Sequence, residues 1–228
     1  MKVIKQASSL DIIDYSTDPK PLHSRHSKLL PSTIRCIICG PSNCGKTNVM
    51  ISLLLHKNGL KFRNVYLFSK TAFQPKYMFL KNVFKRIPEV KLFIFKENEE
   101  IIHPNKAHPD SIMIFDDVVC EKQSNIRNYF AMGRHNKVDS FYLSQTYSKV
   151  PKQLIRDNVN LLIIFKQDDI NLKHIYTEHV NNDMTWLCFK NICSSVWKAP
   201  HSFLVIDKDS SLNNGRYREK FDNFIINT

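Results

Sequence analysis

An α/β fold, with a mostly parallel sheet and helices on both faces, is what this chain predicts, and three observations predict it. Short runs that are apolar at nearly every position recur along its 228 residues. Helical patterns separate those runs. The first run leads into CGPSNCGKTN (39–48), which holds two of the chain's five glycines, Gly40 and Gly45. Strands that are apolar on both faces must be covered on both, the condition of a parallel sheet sandwiched between helices.

The elements follow in order. Residues 1–31 are polar, contain three prolines and read as an irregular arm. The spacing predicts strands at 34–39, 64–69, 91–96, 111–117, 139–146, 160–165 and 202–207. It predicts helices at 46–57, 75–87, 121–132, 151–157, 168–178 and 216–226. On the second helix Phe79, Leu80, Val83 and Ile87 form the expected apolar face. Residues 97–110 read as a charged loop. Residues 32–228 are expected to be one domain, in which the stretch from about 170 onward is an extension of unclear role.

The glycine-containing turn has a chemical reading. Gly40-Pro41-Ser42-Asn43-Cys44-Gly45-Lys46-Thr47 fits G-x-x-x-x-G-K-[ST], preceded by a strand and followed by a helix, the context of a P-loop. Its backbone N–H groups and the helix N-terminus suit triphosphate oxygens. Gly40, Ser42, Asn43, Cys44, Gly45, Lys46 and Thr47 are therefore the expected ATP-binding residues. Lys46 is expected to reach the β- and γ-phosphates, and the Thr47 hydroxyl to bind Mg²⁺.

Two further strand ends carry chemistry. SIMIFDD (111–117) ends in paired carboxylates: Asp116 suits Mg²⁺, and Asp117 suits a general base for water. A second acid favours hydrolysis over simple nucleotide sensing. DSFYLSQT (139–146) ends at Gln145, a candidate sensor of the γ-phosphate or the attacking water. Arg134, in GRH just before that strand, is the first candidate for a finger reaching a neighbouring subunit; Arg156 is the second. Asn136-Lys137-Val138-Asp139 spells the guanine-reading N-K-x-D, but it precedes a strand instead of following one, and no D-x-x-G accompanies it. That argues against a GTPase.

Composition sets limits on the rest. A formal charge of +12 predicts attraction to polyanions, and eight Lys/Arg against one acid lie between Lys61 and Lys91. Lys76, Lys81, Lys85 and Arg86 are candidates to touch DNA, and a solvated basic face is the plain alternative. Cys36 and Cys39 would point to opposite faces of a strand, so buried thiols explain CIIC better than a zinc knuckle. His174, His179, Cys188 and Cys193 match no zinc spacing. Scattered thiols and the absence of an apolar leader suggest an intracellular, reducing compartment such as host cytoplasm or nucleus, with virion association open. No apolar run is long enough to span a bilayer, so no membrane partner is expected.

Together GPSNCGKT, SIMIFDD and GRHNKVDSFYLSQTYSKVPKQLIRDN resemble the viral genome-packaging ATPases of the FtsK–HerA superfamily, in their poxvirus, virophage and Maverick/Polinton branch. The resemblance covers roughly 34–170. It implies an additional-strand (ASCE) P-loop NTPase and a homo-oligomeric ring, pentamer or hexamer. It also implies ATP-driven, sequence-nonspecific translocation of double-stranded DNA into a capsid, with a capsid or portal-like vertex protein as partner. Lys46 and Thr47 would be Walker A, Asp116 and Asp117 Walker B, Gln145 the sensor and Arg134 the trans finger. Asp117 departs from the Glu of cellular relatives. A P-loop kinase and a non-hydrolysing, nucleotide-dependent assembly protein remain as alternatives, separable by whether DNA stimulates ATP turnover.

Overall fold

The computed structural model describes Ile4 and residues 25–226; most of the expected arm lies outside these. Fourteen elements make up the scaffold: β1 (Arg35–Cys39), α1 (Lys46–Leu55), β2 (Asn64–Ser69), α2 (Pro75–Phe84), β3 (Lys91–Phe95), β4 (Ser111–Asp116), α3 (Ser124–Met132), β5 (Val138–Ser144), β6 (Leu161–Ile164), α4 (Asp169–Ile175), α5 (Trp186–Val196), β7 (Leu204–Asp207), β8 (Tyr217–Glu219) and β9 (Asn223–Ile225). Among the described residues the strands form one nine-stranded sheet, ordered β3-β2-β4-β5-β1-β6-β7-β8-β9. The first six in that order pair in parallel. β7, β8 and β9 add on antiparallel. β5 stands between β1 and β4, so the strand ending before Gln145 is the additional strand that separates the glycine loop from the acidic pair.

The apolar runs form this sheet because both faces are covered. In β1, Ile37 and Cys39 join the core on one face, with Phe115, Tyr142 and Leu162. Cys36 and Ile38 join the other, with Ile114, Phe141 and Ile163. The period of two sends alternate side chains to opposite cores. Both thiols are buried, and burial pushes the Cys39 thiol up to about 12, so neither is a reactive cysteine.

Four sequence expectations are corrected. The expected helix at 216–226 is the β8–β9 hairpin; Tyr217, Phe221, Phe224 and Ile225 mimic a helical spacing by chance. Helix α5 lies in a stretch for which no element was expected; Thr185 caps it by accepting from the Cys188 N–H. The expected helix at 151–157 is a turn, because Leu154 adopts φ 67°, outside the helical range. On α2 the buried face is Tyr77, Leu80 and Phe84, while Phe79 is exposed.

The segment before β1 is fastened to the sheet. Asp139 accepts from the Ile34 N–H at 2.8 Å and bonds His26 Nε2 at 2.9 Å, with Arg25 Nη1 at 3.0 Å. The Asp of the apparent N-K-x-D is thus a buried structural anchor. At the other end, buried Arg218 pairs with Asp207 at 2.7 Å and donates to Leu29 O at 2.5 Å. Residues 170–226 therefore continue the same sheet and hold its flank.

Candidate nucleotide site

The site lies where the parallel strands end. β1 stops at Cys39 and the chain turns through the glycine loop into α1. The Gly40 N–H donates to Ser144 O at 3.1 Å, so the loop is tied to the end of β5. The two glycines are needed for different reasons. A Cβ on Gly40 would stand 2.5 Å from Phe165 Cβ and 2.8 Å from Cys44 Sγ, so close packing excludes a side chain there. Gly45 has φ 117°, a backbone that side-chain-bearing residues rarely adopt. Asn43 also takes a left-handed turn, at φ 60°, which asparagine tolerates.

Gly45 leads into α1, whose first N–H groups have no partner inside the helix and so face out as donors. Lys46 Nζ donates to Gly40 O at 2.6 Å and Pro41 O at 2.8 Å, folding the ammonium across the loop. A cleft of about 170 Å³ opens beside it. Ser42, Asn43, Gly45, Lys46 and Thr47 form one side of this cleft, and Asp116, Asp117 and Gln145 close the other. Gly40 and Cys44 lie behind the loop. Three strand ends thus bring together residues more than one hundred positions apart.

Each carboxylate has its own setting. Burial raises the Asp116 pKa, opposed by the Tyr77 hydrogen bond and by Lys46, with Asp117 reinforcing the rise. Asp117 leaves the strand at φ 57° and is exposed. One carboxylate is held and the other faces solvent. Gln145, also exposed, follows β5 directly.

Sequence reasoning missed four cleft residues. Tyr77, buried on α2, donates its hydroxyl to Asp116 Oδ2, and the same phenol interacts with the Thr47 side chain. The Thr47 hydroxyl and an Asp116 oxygen therefore converge on one point. Thr71, Gln74 and Lys76 complete the wall. Lys76 is corrected from the expected DNA-facing surface to the cleft. Its place at the second position of a helix that points into the cleft was the available signal.

The two arginine candidates separate. Arg134 lies in the turn Gly133–Asn136 that enters β5, exposed, at the sheet edge opposite the cleft. Arg156 is buried; its Nη1 donates to Glu178 Oε1 at 2.8 Å and its guanidinium lies 5.1 Å from the Tyr147 ring. Arg156 is consumed inside its own chain, which removes it as a finger. His174, His179, Cys188 and Cys193 form no metal-binding cluster among the described residues. No helix among those residues is long and apolar enough to cross a membrane.

Comparison with known proteins places this arrangement. The chain superposes on the genome-packaging NTPase B204 of Sulfolobus turreted icosahedral virus 2 in complex with AMP. The TM-score is 0.57 at 13% identity, over 82% of this chain and 96% of that one. The complex of the same protein with ATP-γS gives 0.53 at 12% identity, over 85% and 98%. B204 of Sulfolobus turreted icosahedral virus, described as a DNA-packaging ATPase, gives 0.52 at 14% identity, over 76% and 92%. These likenesses establish the P-loop NTPase fold. No curated protein sequence gives a significant match. The family model described as Poxvirus A32 protein matches residues 22–222, nearly the whole chain, and the chain belongs to that family.

Proposed function

We propose that this protein is an ATP-hydrolysing motor that moves double-stranded DNA into a viral capsid. One observation carries the reading: the glycine loop, the acidic pair and Gln145 line a single cleft at the end of the parallel sheet. The B204 proteins, whose fold it shares, are described as genome- or DNA-packaging enzymes and have been solved with AMP and ATP-γS.

The chain's own groups divide the work. The N–H groups at the start of α1 bind phosphate oxygens, and Lys46 swings from the loop carbonyls to the β- and γ-phosphates. The convergence of Thr47 and Asp116 on one phenol fits Mg²⁺, a hard cation that takes few protein oxygens and completes its shell with phosphate and water. Bound there, Mg²⁺ would neutralise charge on the phosphates. Asp117, exposed and one residue on, accepts the proton of the attacking water. Gln145 orients that water. Arg134, exposed on the far edge of the sheet, is placed to serve the site of a neighbouring subunit in a ring. Lys81, Lys85 and Arg86 are exposed on or just after α2 and supply backbone contacts to DNA that read no sequence.

The test is ATP turnover with and without long duplex DNA. The wild type is expected to be stimulated by DNA, and Lys46→Ala and Asp117→Asn to lose turnover by roughly 10²-fold or more. Equal rates in all three would refute the assigned chemistry. Phosphate appearing on a small molecule would select a kinase instead.

A further inference from the structure

Beside α1, on the flank away from the acidic pair, lies a second and larger hollow of about 490 Å³. We propose that it receives the adenosine moiety of ATP, and that the C-terminal segment 201–222 exists in part to build its wall. This rests on the glycine loop binding the phosphates, and it assigns a binding role to a segment that handles none of the phosphate chemistry.

Continuity is the first argument. The hollow begins at Asn48 and Val49, immediately after Thr47, and extends past Ser52. Thr47 to Ser52 is roughly 7–8 Å along the helix axis at 1.5 Å per residue. A nucleoside attached to phosphates at the helix N-terminus leaves them on this scale, so phosphate cleft and hollow can hold one molecule.

Chemistry is the second. Val49, Phe203 and Phe221 give the hollow apolar walls, while Asn48, Ser52 and Asp222 bring hydrogen-bonding groups to its rim. A purine has two apolar faces and a polar edge, and a site of this volume with few polar groups suits a molecule of that size. Phosphate or nucleic-acid backbone would not favour such walls.

The third argument is how the wall is tied to the loop. His201 Nδ1 lies 3.1 Å from Cys44 O, with His201 itself in a left-handed turn at φ 57°. Phe165, which packs under Gly45, meets Phe203 at 5.3 Å between ring centroids, and Phe203 meets Phe221 at 5.6 Å. A row of three rings therefore runs from beneath the phosphate loop to the hollow. The Lys220 N–H bonds Phe203 O at 2.9 Å and sets Phe221 in place.

Affinity for two probes separates this subsite from the phosphate site. ATP and inorganic tripolyphosphate are titrated, each with Mg²⁺, against wild type, Ser52→Trp and Phe221→Ala. Ser52 is exposed, so tryptophan there fills the hollow without entering the core. Wild type is expected to bind ATP at least about tenfold more tightly than tripolyphosphate, as stacking and edge contacts of one base warrant. Both variants are expected to lose about tenfold for ATP while keeping tripolyphosphate affinity within about twofold, which also shows that they fold. Unchanged ATP affinity in both variants, or equal binding of the two probes by wild type, overturns the proposal. Failure of wild type to bind either probe overturns the phosphate-site reading beneath it.

Discussion

The connection that leaves β5 faces two polar clusters, and they are built on opposite terms. Gln145 faces the cleft, where Asp117 and Gln145 stand in solvent. Two residues later Tyr147 turns inward to a cluster in which the polar groups largely satisfy one another. Its hydroxyl donates to Glu178 Oε2 at 2.8 Å, His179 Nε2 lies 2.6 Å from the same oxygen, and Arg156 holds Glu178 Oε1 at 2.8 Å. Buried polar groups are tolerated only when paired. The cleft keeps carboxylate and amide groups free for a ligand, whereas the inner cluster commits its own to the fold. Residue type does not tell the two apart, since each region contributes an arginine candidate; burial and pairing do.

The largest test of that contrast exchanges the two arginines' fates. Arg156→Ala leaves Glu178 buried beside Tyr147 without its cation. Breaking such a pair costs about 3–5 kcal/mol, so urea unfolding should shift by that amount. Arg134→Ala removes an exposed side chain, and its stability should stay within about 0.5 kcal/mol of wild type. Its turnover should fall while ATP binding survives, and mixing with Lys46→Ala subunits should restore part of the rate if the arginine acts in trans. A stable, inactive Arg156→Ala beside an unstable Arg134→Ala would invert the assignment.

Tyr77 belongs to both kinds of region, which makes it the sharper probe. It is buried as a core residue, yet its hydroxyl holds Asp116 at the cleft. Tyr77→Phe keeps the ring and deletes one hydrogen bond to a partly buried carboxylate. A stability loss of about 1.5–3 kcal/mol is expected, the range for hydrogen bonds to charged groups, together with weaker Mg²⁺-dependent ATP binding. Nucleotide affinity measured in EDTA should not change. A loss seen equally with and without Mg²⁺ would make Tyr77 a packing residue only.

How far the sequence could be read follows the same division. β1 to β7 were visible because strands covered on both faces must be apolar at almost every position. The loop, Asp116, Asp117 and Gln145 were visible because exposed chemistry at strand ends leaves a local spelling. Arg156 and Tyr77 were not, because their roles depend on Glu178 and Asp116, partners 22 and 39 positions away. The β8–β9 hairpin was misread since three-residue strands carry too few alternations to outvote a fortuitous helical spacing. Helix α5 did carry its signal, Thr185 followed by Phe189, Cys193 and Val196 on one face, but Cys188 and Cys193 were weighed only as metal ligands.

The smallest expected effect lies in the inner cluster's response to acid. A phenol has one proton, and that of Tyr147 goes to Glu178, so His179 Nε2–H donates to the Tyr147 oxygen. The other ring nitrogen, Nδ1, is then the site a second proton must take, and it is buried with no hydrogen-bond partner. Burial, with Lys208, Arg156 and Arg216 nearby, pushes His179 down to about 3 from its usual 6.5, even with Glu178 Oε2 at 3.9 Å. The unfolded chain takes a proton at this residue below about pH 6.5 and the folded one does not, so acid favours unfolding. The stability that His179 contributes is present above pH 6.5 and is lost as pH falls from there toward 3. Roughly 1 kcal/mol should go between pH 7 and 5.5. His179→Gln lacks the titrating group, so its stability relative to wild type should improve by that amount over the same interval. Other acid-sensitive groups cancel in that difference. Parallel stability curves for the two proteins would mean that His179 charges within the fold, and the inner cluster would then share the cleft's spare capacity for protons.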